Sequence, residues 1–286
     1  MESGRRNFLK AAAGAAGLAL LQLAGFGGSA RADSSRSDAV MLVNVTRCTG
    51  CGECYKACKK QNNLGGAERF DPEDPPELSS NCWITLYALK MGKAWRFRKH
   101  ACMHCTDASC EQVCPTGAIS HQEAAVVIDQ DWCTGCGYCV QACPFGVPHI
   151  DEHTGTARKC TFCIDRTSNG QEPACADACP THAIQFGKRT DLTETAMTQV
   201  KALKNDGYPS AGLYGGDENE LGGLHVIYVL DDSASAYGLP EAPQLATSNA
   251  AFKWLSGIVT FGVAAVLPLW FLIRRRNQNA AEEGAE

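Results

Sequence analysis

Hydrophobic positions change period several times along this chain, and each period predicts a different element. Residues 254–273 (WLSGIVTFGVAAVLPLWFLI) run for 20 positions without a charge, and at about 1.5 Å per residue a helix of that length spans about 30 Å. One transmembrane helix is expected there. Lys253 and Trp254 stand at one end and Trp270 near the other, where amphipathic rings and long cationic stems favour the membrane interface. Pro268 is placed to bend the last turns. The other reading, a hairpin helix buried in a soluble core, does not account for Arg274-Arg275-Arg276, which follow at once. The positive-inside rule puts that end in the cytoplasm and the large domain outside.

Residues 11–28 form a second uncharged stretch, dominated by Ala, Gly and Leu and therefore only weakly apolar. Arg5 and Arg6 precede it, just before Phe8-Leu9-Lys10, and Ala30-Arg31-Ala32 follows as an A-x-A site with cleavage expected before Asp33. This resembles a twin-arginine signal, with an uncleaved anchor as the alternative. That export route carries proteins already folded, often with a cofactor inserted in the cytoplasm. Both ends of the chain give one topology: cell inner membrane, single-pass, main domain on the periplasmic side, C-terminus cytoplasmic.

Between these segments the apolar runs are short. Residues 41–45, 125–129 and 224–230 read as strands, and 118–120 and 183–186 as returning strands. The stretch 81–84 alternates toward strand, and residues 190–203 suggest a surface helix. Residues 71–77, with three prolines and four acidic residues, read as a solvated loop, and 207–223 as a Gly-rich lead into the strand at 224–230. The expected organisation is a signal peptide at 1–32, a main domain at 33–239, a linker at 240–253 holding Pro240 and Pro243, the membrane helix at 254–273 and a tail at 274–286.

Composition changes the picture in one respect above all: 17 of the 286 residues are cysteine, several times ordinary usage. Hydrophobic content of 45% and charged content of 20% describe a globular chain. Net charge is -5, and -8 once residues 1–32 are removed, so no overall basic charge exists to meet a phosphate backbone. Nucleic acid is not an expected partner.

Sixteen of the cysteines fall into four groups of four. The first is Cys48-x2-Cys51-x2-Cys54-x3-Cys58. The second is Cys102-x2-Cys105-x4-Cys110-x3-Cys114, with Pro115 after it. The third is Cys133-x2-Cys136-x2-Cys139-x3-Cys143, before Pro144, and the fourth Cys160-x2-Cys163-x11-Cys175-x3-Cys179, before Pro180. A [4Fe-4S] cubane has four iron corners, each needing a thiolate. A tight C-x2-C-x2-C loop wraps three of them, and the last cysteine of a C-x2-C-x2-C-x3-C-P run ligates the other cluster of a pair. Four runs make four [4Fe-4S] clusters in two ferredoxin-like pairs, and the expected fold class is α+β: tandem ferredoxin-like modules, loop-rich, repeated twice, plus the C-terminal helix.

Two other readings of the cysteines stand beside this one. C-x2-C pairs also build four-thiolate zinc sites, in a structural or interaction module, but groups one and three crowd three cysteines into seven positions. A disulfide framework suits an oxidising compartment, yet it gives no reason for the C-x3-C-P endings. Cys82 stands outside the groups and reads as a buried or half-buried thiol. His100 and His104 flank Cys102, within reach of hydrogen bonding to a cluster, and read as loop residues without a catalytic role.

The four spacings, Cys102-Met103-His104-Cys105, and the run from Lys159-Cys160-Thr161-Phe162-Cys163-Ile164-Asp165-Arg166 to Gly170-Gln171-Glu172-Pro173-Ala174-Cys175 resemble the iron-sulfur (beta) subunit of membrane-bound formate dehydrogenases. Gly212-Leu213-Tyr214 and Tyr237-Gly238-Leu239-Pro240 are similar to the tail of that subunit. Within the wider family of four-cluster subunits of molybdopterin oxidoreductases, a periplasmic hydrogenase subunit carries its own twin-arginine signal and a membrane tail ending in arginines. The ends of this chain therefore lean toward a periplasmic-facing uptake [NiFe] hydrogenase, and its longer middle leans toward formate dehydrogenase.

The resemblance implies a nested pairing of groups. One cluster is then held by Cys48, Cys51, Cys54 and Cys179, and its partner by Cys58, Cys160, Cys163 and Cys175. The inner pair is Cys102, Cys105, Cys110 with Cys143, and Cys114 with Cys133, Cys136 and Cys139. It also implies a molybdopterin (Mo or W) catalytic alpha subunit and a membrane cytochrome b gamma subunit delivering electrons to quinone. No motif in the chain marks a nucleophile, a proton-transfer pair or a dinucleotide site, so a non-catalytic electron-transfer subunit is expected.

Overall fold

The computed structural model describes residues 38–65, 70–92 and 94–248, and further along 260, 261, 267, 268, 270, 271 and 274. The expected signal at 1–32 lies outside the described residues, as does most of 254–273 and of the tail. The six described positions of that apolar run are helical and exposed, and Arg274 stacks over the Trp270 ring at 5.2 Å. Among the described residues no helix is long and apolar enough to cross a membrane.

One mixed sheet anchors the domain. Strand β1 (Ala39–Asn44) lies at its centre, with β8 (Ile184–Lys188) antiparallel on one side and β10 (Val226–Leu230) parallel on the other; β9 (Gly212–Tyr214) closes the far edge against β10. Side chains alternate across a strand, and here both faces are used. Val40, Leu42, Ile227 and Val229 pack under helix α6 (Arg189–Asn205), against Leu192, Ala196 and Val200. Met41, Val43, Val226 and Tyr228 face the opposite way, into the main core with Cys54, Cys58 and Cys175. A strand covered on both faces reads as a continuous apolar run, which is why 41–45 and 224–230 were legible as strands.

The rest is built from two-stranded ribbons and short helices. β2 (Thr85–Met91) pairs with β3 (Ala94–His100), β4 (Ile119–Gln122) with β5 (Ala125–Ile128), and β6 (His149–Ile150) with β7 (Ala157–Arg158), all antiparallel. Helices α1 (Glu53–Gln61), α2 (Ser109–Gln112), α3 (Tyr138–Ala142), α4 (Ile164–Thr167) and α5 (Ala174–Asp177) each begin within or beside a cysteine group.

The topology nests. β1, before group one, pairs with β8, after group four, and α1 packs on α5. Inside them β4, after group two, pairs with β5, before group three, and α2 packs on α3. The 85–100 hairpin was not expected, because its charged residues (Lys90, Arg96, Arg98, Lys99) obscure the strand alternation. The alternation noted at 81–84 is an isolated bridge between Ser79 and Cys82 just before β2.

Candidate metal centre

Each cysteine group turns through a left-handed residue just before its second cysteine. These are Gly50 (φ 72°), His104 (φ 46°), Gly135 (φ 66°) and Phe162 (φ 58°). A positive φ curls the backbone so that successive amides and cysteines face one centre, which is the shape a cluster loop requires. Groups one and three share the sequence Cys-Thr-Gly-Cys-Gly-x-Cys, and their second glycines, Gly52 and Gly137, also left-handed, begin α1 and α3. Groups two and four reach the same curvature with His104 and Phe162, whose rings pack against each other at 4.6 Å.

The cysteines come together in quartets drawn from different groups. Cys48, Cys51, Cys54 and Cys179 line one hollow, walled by Val43, Leu86, Lys99 and Ile184. Cys114, Cys133, Cys136 and Cys139 line another, beside Thr116, Ile119 and Ala157. Cys58 lies within electrostatic reach of Cys160, Cys163 and Cys175, and Cys105 of Cys102, Cys110 and Cys143. The quartets stand in a row. Cys54 of the first reaches Cys175 of the second, Cys160 of the second reaches Cys102 of the third, and Cys110 of the third reaches Cys139 of the fourth. One cysteine is exposed at each end, Cys51 and Cys136. Trp132 and Tyr138, both large and exposed, flank the latter.

Burial dominates the chemistry of these thiols. It pushes Cys110 and Cys160 up to about 12 and Cys139 to about 11, with neighbouring thiols adding repulsion. Such buried thiols do not ionise unaided; a cation beside them favours the thiolate. Hydrogen bonds meet the sulfurs from outside: the Ala157 amide donates to Cys133 Sγ at 3.3 Å and the Phe162 amide to Cys160 Sγ at 3.4 Å. At Cys114 burial raises the thiol, but hydrogen bonds from Thr116 and from the amides of residues 116, 118 and 119 outweigh it and hold the thiol below its usual range.

The donor set, thiols gathered four to a quartet, fits clusters. All 17 cysteines are free thiols, and those of the first and fourth quartets ring hollows.

Comparison with known proteins agrees with this geometry. A 4Fe-4S dicluster domain matches residues 93–189, and a second of the same description matches 47–118. The nitrate-inducible formate dehydrogenase iron-sulfur subunit of Escherichia coli (strain K12) is 36% identical over 230 residues, 76% of this chain and 78% of that one. The chain belongs to the family of formate dehydrogenase iron-sulfur subunits. Another member, the formate dehydrogenase-O iron-sulfur subunit of the same organism, is 37% identical over 222 residues, 73% of each chain. The likeness extends, over a shorter stretch, to the thiosulfate reductase electron transfer subunit of Salmonella typhi, 42% identical over 153 residues, 52% of this chain and 75% of that one. As a formate dehydrogenase iron-sulfur subunit, the chain has tandem dicluster domains and four [4Fe-4S] clusters as its cofactors.

Other residues near the row are structural or were missed by sequence reasoning. Cys82 is buried, its thiol donating to the Ile84 carbonyl at 3.3 Å. His104 is fully buried and accepts the Val126 amide at Nδ1, 3.0 Å. Burial, helped by Lys159, keeps this ring neutral, well below the usual histidine range. Lys99 and Lys159 are buried among the cysteines. Lys159 was visible only as the neighbour of Cys160, and nothing in the pattern of β3 singles out Lys99.

Proposed function

We propose that this chain is the electron-relay subunit of a membrane-bound formate dehydrogenase, carrying electrons from a molybdopterin catalytic subunit to a membrane cytochrome b and quinone. The observation that supports it most directly is the row of four quartets with an exposed cysteine at each end. The quartets are read as the ligand sets: Cys48, Cys51, Cys54 and Cys179 for the first cluster; Cys58, Cys160, Cys163 and Cys175 for the second. Cys102, Cys105, Cys110 and Cys143 hold the third, and Cys114, Cys133, Cys136 and Cys139 the fourth. A bound [4Fe-4S] cluster takes up and releases one electron without bonding to substrate. The chain's own residues do the rest: the loops fix each ligand set, the apolar core excludes water from the middle of the row, and amide donors to sulfur set the local field.

The two ends of the row are the natural docking points for partner subunits. Exposed Trp132 and Tyr138 beside Cys136 offer the large, rigid contacts common at interfaces. The signal at 1–32 and the apolar run at 254–273 support export in the folded state and a single-pass anchor, with the cluster domain in the periplasm. Deleting residues 254–286 is then expected to release the complex or weaken its hold on the membrane.

The reading is tested by tagging the chain, solubilising its complex in mild detergent, and assaying dye reduction with formate and with hydrogen while measuring iron, molybdenum, tungsten and nickel. Formate activity with molybdenum or tungsten is expected. Hydrogen activity with nickel would replace formate dehydrogenase by hydrogenase as the partner.

A further inference from the structure

An ammonium taken out of water is tolerated only beside negative charge or strong acceptors. Lys99, on β3, is 2% exposed. Its main-chain carbonyl accepts the Tyr228 hydroxyl at 2.8 Å, which pins the strand to the central sheet, and its Nζ lies 3.7 Å from Met41 Sδ. The residue forms part of the wall of the first hollow, with Cys48, Cys51, Cys54 and Cys179. Among the described residues it makes no ion pair with a carboxylate. The ionisable groups that act on it are Cys175, Tyr228, Cys160 and Cys54, drawn from the first two quartets and the sheet.

Lys159 differs in kind. It is also buried, but its Nζ donates to the carbonyls of Val126 and Cys160, and such carbonyls satisfy an ammonium locally. Lys99 has a thioether at that range, with thiols of the first two quartets within electrostatic reach.

We infer that Lys99 is the resident counter-charge of the first and second clusters, and that it holds the reduction potentials of both above what their thiolate shells alone would set. This rests on the four-cluster reading. A cubane with four thiolates is already anionic when oxidised, and reduction adds one electron and no proton from this site. A fixed cation in a low-dielectric wall therefore stabilises the reduced form more than the oxidised form. Its position beside both quartets makes the effect common to two neighbouring steps of the relay.

The test uses the intact complex carrying Lys99→Met, with iron and acid-labile sulfide per chain measured first and each cluster then followed by EPR in a redox titration. Two of the four midpoint potentials are expected to fall, each by at least a tenfold change in the reduction equilibrium, about 59 mV for one electron. Lys99→Arg, which keeps the charge, is expected to stay within a few-fold of the wild type. Four unmoved midpoints in a fully loaded Lys99→Met complex would overturn the inference, as would a Lys99→Arg shift as large as that of Lys99→Met. Where Lys99→Met loses iron, Lys99→Gln is titrated instead; if both neutral variants fail to keep four clusters, Lys99 is an assembly residue and the inference falls. A wild-type complex without four clusters would instead defeat the relay reading itself.

Discussion

At Gly135 the third loop leaves no room for a side chain. A Cβ there would stand 1.8 Å from the carbonyl oxygen of Gly155, on a backbone at φ 66°, so strain and collision act together. Gly137, two residues on, is left-handed as well (φ 77°) but faces open space. The two positions separate conformational cost from steric cost. Gly137→Ala is expected to cost about 1–2 kcal/mol and to keep all four clusters. Gly135→Ala is expected to lose the fourth, read as one cluster's worth of iron and sulfide missing per purified chain. Full iron in Gly135→Ala would show that the loop moves aside. The signal that singles out these glycines is the motif Cys-Thr-Gly-Cys-Gly-x-Cys, which occurs twice, although the cysteine spacing alone does not reveal it. His104 and Phe162 carry no such signal, since a bulky residue in the same conformation is imposed by packing that lies far away in sequence.

Strands and helices depend on one another through a few buried polar ties. Arg96 on β3 donates from Nε to Asp231 Oδ2 at 2.7 Å, just past β10, and the Tyr237 hydroxyl donates to the same carboxylate. This holds the 85–100 hairpin, and with it Lys99, against the end of the central sheet. Arg96→Ala leaves the Asp231 carboxylate buried with, among the described residues, the tyrosine hydroxyl as its remaining side-chain partner, a change that costs about 3–5 kcal/mol when a buried pair is broken. The expected readout is faster thermal bleaching of the absorption near 400 nm characteristic of iron-sulfur proteins; a wild-type bleaching rate would argue that the hairpin is held by its apolar contacts alone. At this scale the sequence was informative where burial is two-sided or amphipathic, at β1, β10 and the helix at 189–205. It was silent at the hairpin, where the adjacent charged residues Arg98 and Lys99 are both buried while Phe97 is half-buried, so polarity gives no clean period, and at the four-residue helices, too short to show one.

Across the whole molecule, which cysteines belong to which group is visible in the spacing, but the nesting of the groups is not, because it is decided by β1 meeting β8 and β4 meeting β5 across long stretches of chain. That division also predicts how the protein comes apart. The main core contains Cys54, Cys58, Cys82 and Cys175, and a smaller core contains Cys139. The layer formed by α6 on β1 and β10 contains no cysteine: Val40, Leu42, Leu192, Ala196, Val200, Ile227 and Val229 pack on one another, with Leu203 and Leu213 against them. Metal ligation stabilises only the structure that holds the metal, and local opening follows the parts with the fewest independent contacts. Destroying the clusters by oxidation in the intact complex is therefore expected to raise amide hydrogen exchange first across 102–143 and 160–179, while β1, β10 and α6 stay protected. Simultaneous loss of protection in α6 would mean that the sheet cannot stand without the clusters, and that the domain is one cooperative unit held by metal.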